Sequence, residues 1–185
     1  MKSDFRNLAL ALSPQAAAVA NYCDHVEHNE AAEIAWVADA ADEVRLLAVE
    51  FAAAARLDLV ELYAERLGAI EARNALARPG GFDGHATALA ARTWRDLQLV
   101  QAEHDRYYHA DVIGLAKAEQ LRHYALHLTK IVGAFAEPRD AAELFTRRLP
   151  DTLLFALKLL TVMGKRFPDE ALPRSAPTGA ATASV

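Results

Sequence analysis

Apolar residues recur at steps of three and four along most of the chain, the period of helices with one buried face. Ile34, Val37, Ala41, Val44, Ala48, Phe51 and Ala55 form one such stripe and predict a long helix starting near Glu30. Asp58 stands where a cap would open the next helix, on which Leu59, Leu62, Tyr63, Leu67 and Ile70 share a face. Upstream, Ser13-Pro14 reads as an N-cap and first helical residue, so a helix is predicted from there to near His28. Downstream, helices are predicted over residues 86–109 and 117–136, followed by a short piece opening at Asp140. A last helix should carry Pro150 in its first turn and reach Arg166. No stretch alternates with period two, so the expected fold is all-α, a helical bundle of about six or seven helices.

Composition strengthens this reading. Alanine supplies 41 of 185 residues against 8 Gly and 7 Pro, and neither breaker occurs between Ala16 and Leu67. Residues 78–84, RPGGFDG, are the clearest punctuation. They divide the chain into a first unit at 1–78, a Gly-rich linker at 79–84 and a second unit at 85–172. Residues 173–185 are small and polar, the composition of a disordered tail.

The single Cys23 excludes an internal disulfide and is expected to be buried and inert. No run approaches the roughly 18 apolar residues that cross a bilayer, so no membrane partner is expected. The first residues lack the apolar core and cleavage site of a secretory signal, which predicts a cytoplasmic protein. Alanine-rich helix faces allow close approach between copies and predict a homodimer.

The net charge of -5 argues against a nucleic-acid surface as a partner. It is unevenly spread: residues 1–84 carry 7 Lys/Arg against 14 Asp/Glu, and residues 85–185 carry 13 against 11. An acidic half beside a mildly basic one suits metal and phosphate chemistry at their junction, although differing solvent faces give the same asymmetry.

Residues 98–127 hold the densest polar pattern. His123 and His127 are four apart, as are Asp105 and His109, with His104 and Asp111 adjacent. Three readings stay open. These groups form a hydrogen-bonded polar core, they hold a transition metal through His104, Asp105, His109, His123 and His127, or they line a pocket for an anionic ligand. Arg122 and Lys130 lie on the same helix and could serve phosphate.

Two segments resemble the MazG-like all-α nucleotide pyrophosphohydrolases. In residues 43–74, EVRLLAVEFAAAARLDLVELYAERLGAIEARN, Leu57-Asp58-Leu59 occupies the place of that family's "G-I-D-L" turn. Arg66-Leu67 and Arg73 take the basic places of its "K-L-x-x-N-x-x-R" ending, with Ile70 at the Asn. In residues 123–170, LTKIVGAF, RLPD and LLFALKLLTVMGKRF are similar to the metal-binding helices.

The resemblance implies hydrolysis of a nucleoside triphosphate to monophosphate and pyrophosphate. It implies Mg²⁺, or Mn²⁺, held by carboxylates one helical turn apart, with basic side chains on the phosphates. The acids with that spacing are Glu30, Glu33, Asp39 and Asp42, with Glu43 adjacent. Glu33 and Asp42 are the implied catalytic pair, and Arg66, Arg73, Arg122 and Lys130 the implied phosphate ligands. The expected partner is a nucleotide or another phosphorylated small molecule.

The chain also departs from the pattern. Glu33 and Asp39 are six positions apart, about 9 Å along one helix, so the two acid pairs cannot face each other within it. In the second unit His127 and Lys130 replace the first acid pair and Arg148 replaces the first acid of the second, leaving Asp151. That unit reads as a degenerate copy. The sequence also supports two alternatives: a non-catalytic module that binds a ligand or partner protein, and a His/Asp metalloenzyme.

Overall fold

The computed structural model describes residues 2–74, 81–138 and 140–174. Six helices have fourteen residues or more: α1 (Lys2–Glu27), α2 (Ile34–Ala54), α3 (Leu59–Asn74), α5 (Trp94–Tyr108), α7 (Lys117–Ala136) and α9 (Leu149–Val162). Short helical pieces α4 (Gly84–Ala90), α6 (Ala110–Ile113) and α8 (Ala141–Glu143) fill connections. No strand occurs among the described residues beyond one isolated bridge, Thr93 to Ala171, so the bundle is all-α.

The first helix begins eleven residues before Ser13 and runs through Pro14. The expected start there is incorrect because Phe5, Leu8, Ala9 and Leu12 continue the helical period and are buried. Pro14 lies on the exposed face, where water can serve the carbonyl whose partner it removes. Ser13 is not a cap; its Oγ donates back to the Ala9 carbonyl at 2.8 Å.

Three helices end alike. After α1, Glu30 N–H reaches the His25 carbonyl and Asn29 N–H the Val26 carbonyl, with Asn29 at φ 56°. Arg56 (φ 58°) closes α2 in the same way, through Leu57 N–H to Ala52 and its own N–H to Ala53. Gly164 (φ 69°) closes α9, ending it at Val162 rather than at Arg166. The first of these turns separates Glu30 from α2, and Glu33 is the N-cap residue.

The expected helix over residues 86–109 is divided. Thr93 and Asp96 form a reciprocal capping box that restarts the chain as α5. The break lets Trp94 N–H and the Arg92 carbonyl bond to the segment around Leu172. The predicted cap at Asp58 is observed, its Oδ1 accepting from Val60 and Glu61 N–H.

Helix α9 explains the architecture. Every residue from Leu149 to Leu160 is buried, the signature of a helix surrounded by others. It packs against α2, α3, α5 and α7, while α1 lies along α7 and α2. The principal pairings therefore join the first and second parts of the chain, and their buried residues form one hydrophobic cluster. The division at residues 79–84 does not separate two cores, and residues 79–80 lie outside the described region. Of the proposed tail, Arg174 donates to the Leu89 and Ala91 carbonyls, and residues 175–185 are outside it.

A π-helical turn, Leu144–Arg148, joins α8 to α9, with Leu149 N–H bonded to the Leu144 carbonyl. Pro150 follows at once. Its ring would meet the carbonyl four residues back in a regular helix, and the wider turn relieves this contact. Its consequence is local: Arg147 and Arg148 are carried to the edge of a cleft.

Candidate functional site

Lys158 interrupts the apolar run of α9 and is 5% exposed. A buried ammonium needs a counter-charge, and α5 supplies one: Asp105 Oδ1 lies 2.8 Å from Lys158 Nζ. Gln101 Nε2 donates to the same oxygen at 2.9 Å, and Tyr63 O–H donates to Gln101 Oε1 at 2.8 Å. Burial holds the Tyr63 hydroxyl well above its ordinary pKa, and the Asp105 charge adds to this. Burial also raises the Asp105 carboxyl, against the opposing pull of Lys158.

His104 lies one residue from Asp105 and is fully buried. Neither ring nitrogen has a partner in good hydrogen-bond geometry; the Leu67 carbonyl lies near the ring, and Glu71 Oε1 is 3.6 Å from Nε2. That oxygen is already engaged by the Gly84 N–H at 2.7 Å. A side chain on Gly84 would place its Cβ 2.6 Å from the carboxylate and 2.9 Å from the His104 ring, which explains the glycine. Burial and the nearby Lys158 lower the His104 pKa to about 4, although the Leu67 carbonyl favours the charged ring. Burial and Lys158 lower that of His109 to about 3.

Above this pair opens a cleft of about 460 Å³ between α3, α7, the π-turn and α9. Arg66, Arg73, Lys130, Arg147, Arg148 and Lys158 line it, together with His109, His123 and His127, against only Asp111 and Asp151. Asp151 is bound by Arg66 at 2.6 Å, and Arg148 reaches Glu143 at 2.8 Å. Among the described residues, Arg73 and Lys130 have no carboxylate partner, and the buried Nε of Arg148 has no acceptor. His127 stacks on Phe155, with ring centroids 4.7 Å apart. Its pKa falls to about 4 through burial and then Lys130, and burial with Lys158 also lowers that of His123.

The structure thus brings together Arg66, Arg73, Lys130, His109, His123 and His127, from both parts of the chain. Arg122 is elsewhere, paired with Glu27. The acids around α2 are not gathered in this cleft. Glu30, Glu33, Asp39 and Glu43 are exposed, and Glu30 lies 3.2 Å from His25 Nδ1. Asp42 accepts from Arg45 at 2.6 Å, and Asp39 and Asp42 line a second cavity with Lys165 and Arg166. Among the described residues, three or more potential metal ligands come within 4.8 Å of one another only at His104, Asp105 and His109.

Sequence reasoning missed Lys158, Gln101, Tyr63 and Arg147. Lys158 had a visible signal, a lone cation inside an otherwise apolar stretch from Leu153 to Leu160. Gln101 and Tyr63 had none, because their partner lies 38 positions away. Cys23 is buried, and its pKa is raised by that burial; Trp94 is core, beneath the guanidinium of Arg45. Among the described residues no helix is long and apolar enough to cross a membrane. Compared with known proteins, the chain matches no family model, no curated protein and no solved structure.

Proposed function

We propose that this protein is a helical binding module whose basic cleft takes a phosphorylated small molecule of nucleotide type. The observation that carries the reading is the excess of cationic donors over carboxylates in one cleft, including an Arg148 Nε without an acceptor. A phosphate group accepts several such charge-assisted hydrogen bonds at once, and guanidinium groups match its oxygens in pairs. The neutral imidazoles of His109, His123 and His127 add donors and acceptors without adding charge, which suits the hydroxyl or base portion of such a ligand.

This favours binding over Mg²⁺-dependent pyrophosphate release. Mg²⁺ needs several oxygen ligands on one centre, whereas the acids of α2 are spread over its exposed side and Asp42 is engaged by Arg45. Calorimetric titration with pyrophosphate, AMP and ATP tests the proposal. Binding that weakens at least tenfold in Arg73→Ala/Lys130→Ala is expected, and no binding of any of the three at millimolar concentration would overturn it. The same samples assayed with Mg²⁺ and Mn²⁺ test turnover. Pyrophosphate release lost in Glu33→Ala or Asp42→Ala would replace the binding module by the pyrophosphohydrolase.

A further inference from the structure

Beside the cleft, and touching it through His109, is a second constellation of different chemistry. His104 and Asp105 are consecutive on α5, and His109 ends that helix at φ -136°, ψ 34°, where the chain turns into α6. One ligand atom from each comes within 4.8 Å of the other two. A tetrahedral site with metal–ligand bonds of about 2.0–2.1 Å has edges of about 3.3–3.5 Å, so modest ring rotation brings the three to coordinating distance. We propose that His104, Asp105 and His109 form a binding site for a divalent first-row transition ion of the Zn²⁺ type.

An independent observation points to a missing ligand. His104 is wholly removed from water, and neither of its nitrogens has a partner in good hydrogen-bond geometry, the Leu67 carbonyl and Glu71 Oε1 lying near the ring without meeting it. Such buried polar groups are normally satisfied by protein, water or an ion. Asp105 is half-committed: both of its hydrogen bonds, from Gln101 and Lys158, go to Oδ1, so Oδ2 is the oxygen left for coordination. Two imidazoles and one carboxylate are a ligand set for Zn²⁺, Fe²⁺ or Co²⁺ and a poor one for Mg²⁺, which demands oxygens. Lys158 is the opposing feature. Its ammonium repels the ion at short range, so removing it strengthens binding. The site shares His109 and Lys158 with the basic cleft, whereas His104 and Asp105 are outside its lining.

The test is equilibrium dialysis of EDTA-treated, desalted full-length protein against Zn²⁺ and Co²⁺, with the visible d–d bands of Co²⁺ reporting its coordination. One ion per chain is expected, with bands of four- or five-coordinate Co²⁺, and with at least tenfold weaker uptake in His109→Ala and His104→Gln. Lys158→Met should tighten uptake at least tenfold. His123→Ala/His127→Ala should leave it unchanged. His109 is only half-buried, so its variant serves if His104→Gln does not fold, with circular dichroism verifying each sample. No uptake by folded wild-type protein would overturn the proposal. Wild-type affinity in His109→Ala, or uptake abolished by the His123/His127 double variant, would overturn it equally.

Discussion

Lys158 Nζ and Asp105 Oδ1 meet 2.8 Å apart at the centre of the bundle, with 5% and 6% of their side chains exposed. The bond ties α9 to α5, and Asp105 extends it through Gln101 to Tyr63 on α3. Three helices thus share one polar chain inside an apolar core, next to a cleft that collects cations.

Because removal of either partner strands a charge out of water, metal-free Lys158→Met and Asp105→Asn should each lose about 3–5 kcal/mol of stability. The double variant should lose clearly less than the sum, since it strands neither charge. Urea unfolding of the four proteins measures this. Additive losses would mean that the two groups do not interact.

The cleft arginines should separate by partner. Arg66 holds Asp151, whose side chain is only 9% exposed, so Arg66→Ala should cost about 3 kcal/mol by leaving that carboxylate unpaired. Arg73 and Lys130 are exposed, and their alanine variants should stay within about 0.5 kcal/mol of wild type. They should nevertheless weaken phosphate-ligand binding. Comparing urea midpoints with calorimetric affinities for pyrophosphate separates the two roles, and a stable Arg66→Ala would contradict the assignment.

Stability in EDTA should fall as the solution is acidified below pH 6.5. His104 and His109 have folded-state values of about 4 and about 3, below an unfolded value of about 6.5. Above that value both states hold neutral rings and no difference arises. As pH falls through the window, the unfolded chain takes up protons that the folded chain refuses. Each histidine then removes up to about 1.4 kcal/mol per pH unit, until the folded ring titrates as well. Glu71, raised chiefly by burial, acts in the opposite direction above the ordinary carboxylate range. Urea midpoints that do not move between pH 7 and 5 would show the rings to be charged or solvated in the fold.

Arg56 closes α2 from the left-handed region at φ 58°, a conformation costing a side-chain-bearing residue about 1 kcal/mol. Its side chain is exposed and makes no ion pair among the described residues. Arg56→Gly should therefore raise stability by about 0.5–1 kcal/mol, after the greater entropy of glycine in the unfolded chain is offset. A thermal melt that shifts downward would show that the arginine contributes a contact outweighing the backbone strain.

Much of the fold was legible because helical period is a local property. The stripe from Ile34 to Phe51, the Asp58 cap and the Pro150 turn all depend on neighbours within four positions, and the helices form at those places. The same locality misplaced several boundaries, two of them for tertiary reasons. Ser13-Pro14 resembles a helix start at short range, but burial of Phe5 and Leu8 carries the helix through it. The division between α4 and α5 depends on a backbone bridge to residues near 171.

The sequence by itself determined the class of secondary structure, the basic and histidine-bearing composition of α7, and the charge asymmetry, because these need only residue type and period. Tertiary structure alone decided which charges meet. It paired Lys158 with Asp105, turned Arg122 toward Glu27, and set Arg66, Arg73, Lys130 and three histidines around one cleft. The physical reason is that burial converts a weak solvated charge into one requiring a partner. Which helix faces enter the interior is fixed only when all of them pack around α9.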